Sequence, residues 1–122
     1  MADSSEDLSA SLQEFQNLQQ QLQMVLMQKQ QMAAAEAELG KAIDEVAKLA
    51  DGAHAYRLVG SVFVPKDKAE LHKQLEEEKE SMQAQKMILE KQETRFAERL
   101  ELLRKKFERA QKGEGASLSK SG

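Results

Sequence analysis

His54 and His72 are the only histidines in the sequence, and histidine is the side chain most often used for general acid–base catalysis. Neither has the partners that such chemistry needs. The absence of cysteine excludes a thiol nucleophile and a thiolate metal site. There is also no glycine-rich phosphate loop and no carboxylate pair held across a fixed cavity. We place His54 in a loop and His72 on the surface in the first turn of a helix, and we predict that the protein is not an enzyme and uses no metal or cofactor.

The composition indicates long helices rather than a globular core. Hydrophobic residues make up 40% of the 122, but aromatic residues make up only 4% and charged residues 32%. A net charge of −3 without a basic patch argues against nucleic-acid binding. The N-terminus is acidic where a secretory signal is basic, and no apolar run approaches the roughly 20 residues of a membrane span. We therefore expect a cytoplasmic protein that binds no membrane.

Two helix-forming stretches flank one short apolar block that has the pattern of a β-hairpin. The predicted organisation is a disordered lead at 1–5, a first coiled-coil helix at 6–52, a hairpin at 53–66, a second coiled-coil helix at 67–112 and a disordered Gly/Ser-rich tail at 113–122. Each helix would run about 65 Å, whereas the extended connector spans only about 55 Å. The second helix must therefore return antiparallel. The predicted fold class is mainly α, a long antiparallel two-helix coiled coil with one hairpin at the bend.

Apolar residues recur at spacings of three and four in both helices, which is typical of a coiled-coil seam. The first seam is Leu8, Ser11, Phe15, Leu18, Leu22, Val25, Lys29, Met32, Glu36, Leu39, Ile43, Val46 and Ala50, and the second is Leu71, Leu75, Glu78, Met82, Gln85, Leu89, Gln92, Phe96, Leu100, Leu103, Phe107 and Ala110. The antiparallel register places Val46 near Leu71 and Ile43 near Leu75. It also places Phe15 near Leu103.

Local signals mark the inner ends of the two helices. Gly52 suits a left-handed residue just after the first helix. Asp67 is a candidate N-cap of the second helix, with Glu70 at the capping-box spacing.

The block between the helices predicts a two-residue hairpin turn at Gly60 and Ser61. Glycine at the first central position suits a type II′ turn, which pairs Val59 with Val62 and Leu58 with Phe63. A lone two-stranded hairpin is marginal in water, and this one would show apolar side chains on both faces. We expect it to pair with strands of sibling subunits. The alternative is that it folds back as a cap on the coiled coil.

Two segments carry a resemblance to a known family. The hairpin segment AYRLVGSVFV, residues 55–64, and the helical segment LEKQETR, residues 89–95, resemble those of prefoldin, specifically an archaeal-like β-class subunit with a single hairpin. The resemblance covers about residues 6–111. It departs from the family pattern at Pro65, which we expect to end the second strand early, and at the polar seam residues Lys29 and Glu36, which we expect to soften the coil.

The resemblance implies an ATP-independent chaperone. Two α-class and four β-class subunits would form a hetero-hexamer whose hairpins join in a β-barrel. Its coiled-coil tips would hold non-native client proteins and deliver them to a group II chaperonin. The candidate assembly residues are Tyr56, Leu58, Val59, Gly60, Val62, Phe63 and Val64, and the candidate client-binding residues are Leu8, Leu12, Phe15, Leu18, Leu100, Leu102, Leu103 and Phe107.

Other interpretations stay open at this point. Phe15 and Leu103 are equally compatible with closing the coiled coil. Five methionines, Met24, Met27, Met32, Met82 and Met87, are assigned mainly to core packing, with an extension of the client surface as the alternative. A structural coiled-coil scaffold or tether without chaperone activity would share the helices, although it would not need an apolar hairpin. A membrane-surface helix is disfavoured by the Gln- and Glu-rich polar faces.

Overall fold

The structure is a computed structural model that describes the backbone of residues 2–121 and the side chains of residues 6–112. Helix α1 spans Ala2–Ala47, strand β1 His54–Val59, strand β2 Val62–Asp67 and helix α2 Lys68–Ser121. The predicted class, two long helices with a hairpin between them, is confirmed. The helices also include residues 2–5 and 113–121, which the sequence predicts to be disordered. Disorder of these two segments in solution stays a prediction. Neither segment contains a proline that would interrupt a helix.

Helix α1 ends at Ala47, five residues before the predicted boundary at residue 52, and two tight turns connect it to β1. The Leu49 N–H donates to the Val46 carbonyl at 3.1 Å, and the Ala53 N–H donates to the Ala50 carbonyl at 3.0 Å. Gly52 has a φ of 80°, as the third residue of a type II turn requires. The predicted left-handed glycine is therefore confirmed, but it serves this second turn rather than the last helical residue.

Helix α2 begins with the predicted cap. The Glu70 N–H donates to Asp67 Oδ1 at 2.7 Å, which satisfies one of the amides that the first turn leaves unpaired. The side chain of Lys68 reaches the end of the other helix and donates to the Leu49 carbonyl at 2.7 Å. One short segment therefore closes the N-terminus of α2 and supplies a donor to the turn that follows α1.

The chain divides into two compact units. Unit 1 comprises Met1–Met27 with Glu90–Gly122, and unit 2 comprises Gln28–Leu89. The core of unit 2 contains a cluster of four buried side chains, Ile43, Val46, Leu71 and Leu75, with Leu39, Ala42 and Ala55 packed against it. Leu89 is also buried in this unit. This cluster agrees with the predicted pairings of Val46 with Leu71 and of Ile43 with Leu75.

Unit 1 buries Val25 and Leu103 on the predicted seam, together with Ser11. The Ser11 hydroxyl accepts a hydrogen bond from Lys106 Nζ at 2.8 Å, so a polar seam residue is satisfied. Phe15, predicted to lie near Leu103, makes an edge-to-face contact with Phe107, with the ring centroids 5.6 Å apart. The aromatic partner is thus one helical turn further along α2.

Two predicted seam positions in the middle of α2 are wrong. Gln85 and Gln92 are both exposed, and Glu93 is the half-buried residue after Leu89. The seam therefore steps four residues from Leu89 to Glu93 and then three residues to Phe96, whereas the prediction has a step of three followed by a step of four. The polar seam residue Glu36 is half-buried in unit 2, where Lys86 Nζ lies 3.7 Å from its Oε2.

The hairpin has the predicted register. Val59 pairs with Val62, Leu58 with Phe63, and Tyr56 with Pro65. Gly60 has a φ of 62°, and among the described residues only glycines have positive φ, which leaves Ser61 negative. A type II′ turn, as predicted, has positive φ at the first central position and not at the second.

The prediction that Pro65 ends the second strand early is wrong, because β2 continues through it to Asp67. The Lys68 N–H donates to the Ala53 carbonyl at 3.0 Å, and hydrogen-bonded pairs alternate with non-hydrogen-bonded pairs in an antiparallel ladder. Counting back from Ala53 and Lys68, the pair of Tyr56 and Pro65 is a non-hydrogen-bonded one. The missing N–H of Pro65 would point away from β1, so the ladder loses nothing.

Candidate functional site

One face of the hairpin is apolar and exposed. Side chains alternate along a strand, so Tyr56 and Leu58 share a face with their cross-strand partners Pro65 and Phe63. Tyr56 is 69% exposed and Phe63 67% exposed, and Leu58 is exposed as well. We call the surface formed by Tyr56, Leu58, Phe63 and Pro65 the outer hairpin face. The pairing register of the two strands fixes the relative positions of these four side chains.

The opposite face of the hairpin is docked within unit 2. Ala55 packs against the four-residue core. Arg57 Nη1 lies 3.5 Å from Gln74 Oε1, and its Nη2 donates to the Glu78 carboxylate. The prediction that both faces present apolar side chains is therefore only partly right. Val59 and Val62 stay exposed beside the turn, whereas the other residues of this face are half-buried, namely Ala55, Arg57, Val64 and Lys66.

The candidate assembly residues consequently differ in their surroundings. All but one of them are exposed, namely Tyr56, Leu58, Val59, Gly60, Val62 and Phe63, and Val64 is half-buried. The sequence pattern did not reveal the Arg57 contacts. The signal that was available is the pairing of a basic residue in the hairpin with acidic residues two to three turns into α2.

The candidate client-binding residues of unit 1 fall into three environments. Leu12 is 50% exposed and Leu102 60% exposed, as their positions off the seam predict. Leu103 is only 2% exposed, which removes it from the accessible set. The remaining candidates, Leu8, Phe15, Leu18, Leu100 and Phe107, are half-buried. The contact between Phe15 and Phe107 shows that these two rings help to close the coiled coil.

Further exposed apolar side chains lie outside the predicted set. Met24, Met27 and Met87 are exposed, which corrects their assignment to core packing, while Met32 and Met82 are half-buried. Leu26 and Ile88 are exposed too and were missed. Both lie outside the predicted seam and next to a methionine. Their off-seam positions could have indicated that they are exposed.

Ion pairs cross between the two helices of unit 1. Arg99 donates to both carboxylate oxygens of Glu14, at 2.7 and 3.0 Å, and Lys106 Nζ donates to Asp7 Oδ2 at 2.6 Å. The hydrogen bond from Arg99 lowers the pKa of Glu14 below its usual value. Both pairs flank the seam where coiled coils commonly carry opposite charges. Both pairs are exposed to solvent, so each contributes little to stability.

The two histidines, the first candidates for catalysis, lie on different elements. His54 is exposed at the start of β1, which corrects its placement in a loop, and His72 lies on α2 with Nε2 3.7 Å from Glu76 Oε1. Across the described residues, no group of three or more His, Cys, Asp or Glu side chains is arranged to hold a metal ion. Within the same part of the chain, no helix is apolar and long enough to cross a bilayer. The geometry offers surfaces for binding.

Comparison with known proteins agrees with the predicted resemblance. The sequence model described as prefoldin subunit matches residues 9–114. Prefoldin subunit beta of Thermococcus onnurineus is 35% identical over 103 residues, covering 84% of this chain and 89% of the relative. The Pyrobaculum arsenaticum protein of the same name is 36% identical over 120 residues, covering 95% and 97%. The crystal structure of the prefoldin beta subunit from Thermococcus strain KS-1 superposes with a TM-score of 0.77 at 34% identity, covering 85% of this chain and 91% of that one. The chain belongs to the prefoldin subunit family, as a chaperone subunit.

Proposed function

We propose that this chain is the β-class subunit of a prefoldin complex, that it assembles through its hairpin, and that the assembly holds non-native proteins against apolar side chains of unit 1 without using a nucleotide. The observation that carries the proposal is the outer hairpin face, an apolar surface on a docked strand pair. A chain that worked alone would gain nothing from exposing Tyr56 and Phe63 to water.

The hairpin is built to be completed by other strands. Two strands are marginal in water, and three or more with a covered apolar face are normally needed for independent stability. Here the contacts of Arg57 and Ala55 hold one face of the pair on unit 2. The strand pair therefore keeps its shape before a partner arrives, which lowers the ordering cost of association.

The client surface is of a different kind. Leu12 and Leu102 are exposed apolar side chains on helices, with half-buried leucines at positions 8, 18 and 100 in the same unit. A surface of this size binds weakly by itself once ordering costs are counted. Several copies around one client make each later contact intramolecular, and avidity then rises by roughly 10²–10⁴. Weak single contacts also allow release without ATP.

The finer features follow the family resemblance and are part of the proposal. The partners are α-class prefoldin subunits and further β-class copies, two α with four β, whose hairpins form a β-barrel. The clients are non-native proteins in the cytoplasm, and a group II chaperonin receives them. The chain takes part without catalysis, and neither nucleic acid nor membrane is a partner.

The test combines assembly with protection of a client. The purified chain is mixed with an α-class prefoldin subunit and sedimented, and the product is added to a protein diluted from denaturant while light scattering is recorded. We expect a complex much larger than either chain, and suppression of scattering near one complex per client. A coiled-coil scaffold would instead give a stable self-dimer and no suppression, and that result would contradict the proposal.

A further inference from the structure

The two edges of the hairpin are not equivalent. Residues of non-hydrogen-bonded pairs direct their N–H and C=O groups away from the partner strand, toward whatever lies beside the hairpin. On β1 these residues are His54, Tyr56 and Leu58, and on β2 they are Phe63, Pro65 and Asp67. Every one of them offers a donor except Pro65, which has no N–H.

The missing N–H of Pro65 affects most of the β2 edge. The donors that remain there, at Phe63 and Asp67, are four residues apart, about 13 Å along the strand. Asp67 also caps helix α2, which starts at the next residue, so the strand has no room to continue past it. A neighbouring strand would therefore find one well-placed donor on β2, at Phe63. An edge proline is a recognised means of preventing strand addition.

The β1 edge has no such interruption. Its outward donors are spaced every second residue over six residues of strand, which is the spacing that an added strand requires. Tyr56 and Leu58 also expose their side chains on the outer hairpin face, so an added strand would gain apolar cross-strand contacts together with hydrogen bonds.

We propose that a hairpin strand of another prefoldin subunit adds to the β1 edge, with the outward N–H and C=O groups of Tyr56 and Leu58 as its main hydrogen-bonding partners, while Pro65 restricts pairing on the β2 edge to the end nearest the turn. The proposal rests on the proposed function, because it specifies how the hairpin is used in assembly. Strand pairing would then be more extensive at the β1 edge than at the β2 edge, so the hairpin would bind one neighbouring subunit more strongly than the other.

The test transfers the proline effect to the other edge. Tyr56 is the cross-strand partner of Pro65, so Tyr56→Pro removes one outward N–H from β1 and leaves the internal ladder intact. Tyr56→Val is the matched control, because it loses the ring but keeps the N–H. Pro65→Val returns a donor to the β2 edge. Assembly of each variant with an α-class prefoldin subunit is measured by sedimentation over a concentration series.

We expect Tyr56→Pro to weaken assembly at least about tenfold more than Tyr56→Val, and Pro65→Val to change it by less than about threefold. A second measurement needs no variant. On assembly of the unchanged chain, the amide protons of Tyr56 and Leu58 should become protected from hydrogen exchange.

Equal assembly of Tyr56→Pro and Tyr56→Val, or unchanged exchange at Tyr56 and Leu58 in an assembled complex, would overturn the edge proposal and leave the proposed function standing. If the unchanged chain did not assemble at all, both proposals would fail.

Discussion

The outer hairpin face and the exposed leucines of unit 1 are both apolar, but they differ in what lies beneath the side chains. In the hairpin the backbone still has hydrogen-bonding groups to pair, since each strand has an edge of outward N–H and C=O groups. In unit 1 the helical backbone satisfies its own groups, and only side chains such as Leu12 and Leu102 are available for contact. A strand edge demands a partner strand in one register. Side chains alone accept partners of many shapes. This difference supports the proposal that the hairpin serves specific assembly and that unit 1 contacts variable clients.

The strongest test of this comparison places charge on the hairpin. Val62→Asp with Phe63→Asp puts two carboxylates at exposed apolar positions next to the turn. We expect assembly with an α-class subunit to be lost in sedimentation, because burying unpaired charges is costly, while the far-ultraviolet circular dichroism of the helices stays unchanged. The control is Gln83→Asp with Ala84→Asp, two exposed positions on α2, which should assemble normally. An assembled Val62 and Phe63 variant would contradict the role of the hairpin.

A smaller effect separates packing from contact within unit 1. Leu102 and Leu103 are neighbours with opposite burial, so Leu103→Ala should lower the free energy of unfolding by about 2–5 kcal/mol and Leu102→Ala by less than about 0.5 kcal/mol. Urea unfolding of the two variants measures the difference. Equal losses would mean that Leu102 is part of the core, and the assignment of a client surface to unit 1 would weaken.

Client contact itself is tested at exposed positions. Leu12→Ser with Leu102→Ser should leave assembly intact and lower affinity for an unfolded client by about tenfold, since every copy in the complex loses contacts. Met87→Ser with Ile88→Ser is the matched control, because these side chains are similarly exposed but belong to unit 2. Light scattering of an aggregating client gives the measurement. Equal loss in both variants would show that exposed apolar area matters and its location does not.

The smallest effect concerns the ion pair between Glu14 and Arg99. The hydrogen bond from Arg99 lowers the pKa of Glu14 from its ordinary value of 4.5. Because the folded-state pKa is the lower one, the contribution of the pair is fully present above about pH 4.5 and is lost as the pH falls through the folded-state pKa.

The comparison for this prediction is between the unchanged chain and Glu14→Gln. Their thermal midpoints should differ slightly at neutral pH and converge in acid, since the pair is exposed and contributes little. A difference between the midpoints that stayed constant down to pH 2 would show that the effect comes from another property of glutamine.

Much of the fold could be predicted because its signals are local. The turn at Gly60, the cap at Asp67 and the left-handed Gly52 each depend on the conformational preference of a single residue. The middle of the α2 seam was harder. Gln85 and Gln92 fit the spacing, but glutamine is equally at home in water, and no apolar residue at those positions fixed the register.

The candidate surfaces were predicted less completely. The off-seam positions of Leu12 and Leu102 correctly indicated exposure, whereas the burial of Leu103 and the contact of Phe15 with Phe107 depend on the partner helix. The docking of one hairpin face through Arg57 also depends on residues 17 and 21 positions further along the chain. Such contacts have no periodicity from which they could be recognised.

By itself the sequence determined the two helices, the turn between the strands and the residues that pair across the hairpin, because backbone preference and hydrophobic spacing act over a few residues. Tertiary structure decided which face of the hairpin is left uncovered and how Pro65 is accommodated. That proline is unfavourable or harmless according to whether its nitrogen points toward the partner strand, and only the ladder that starts at Ala53 and Lys68 fixes that direction.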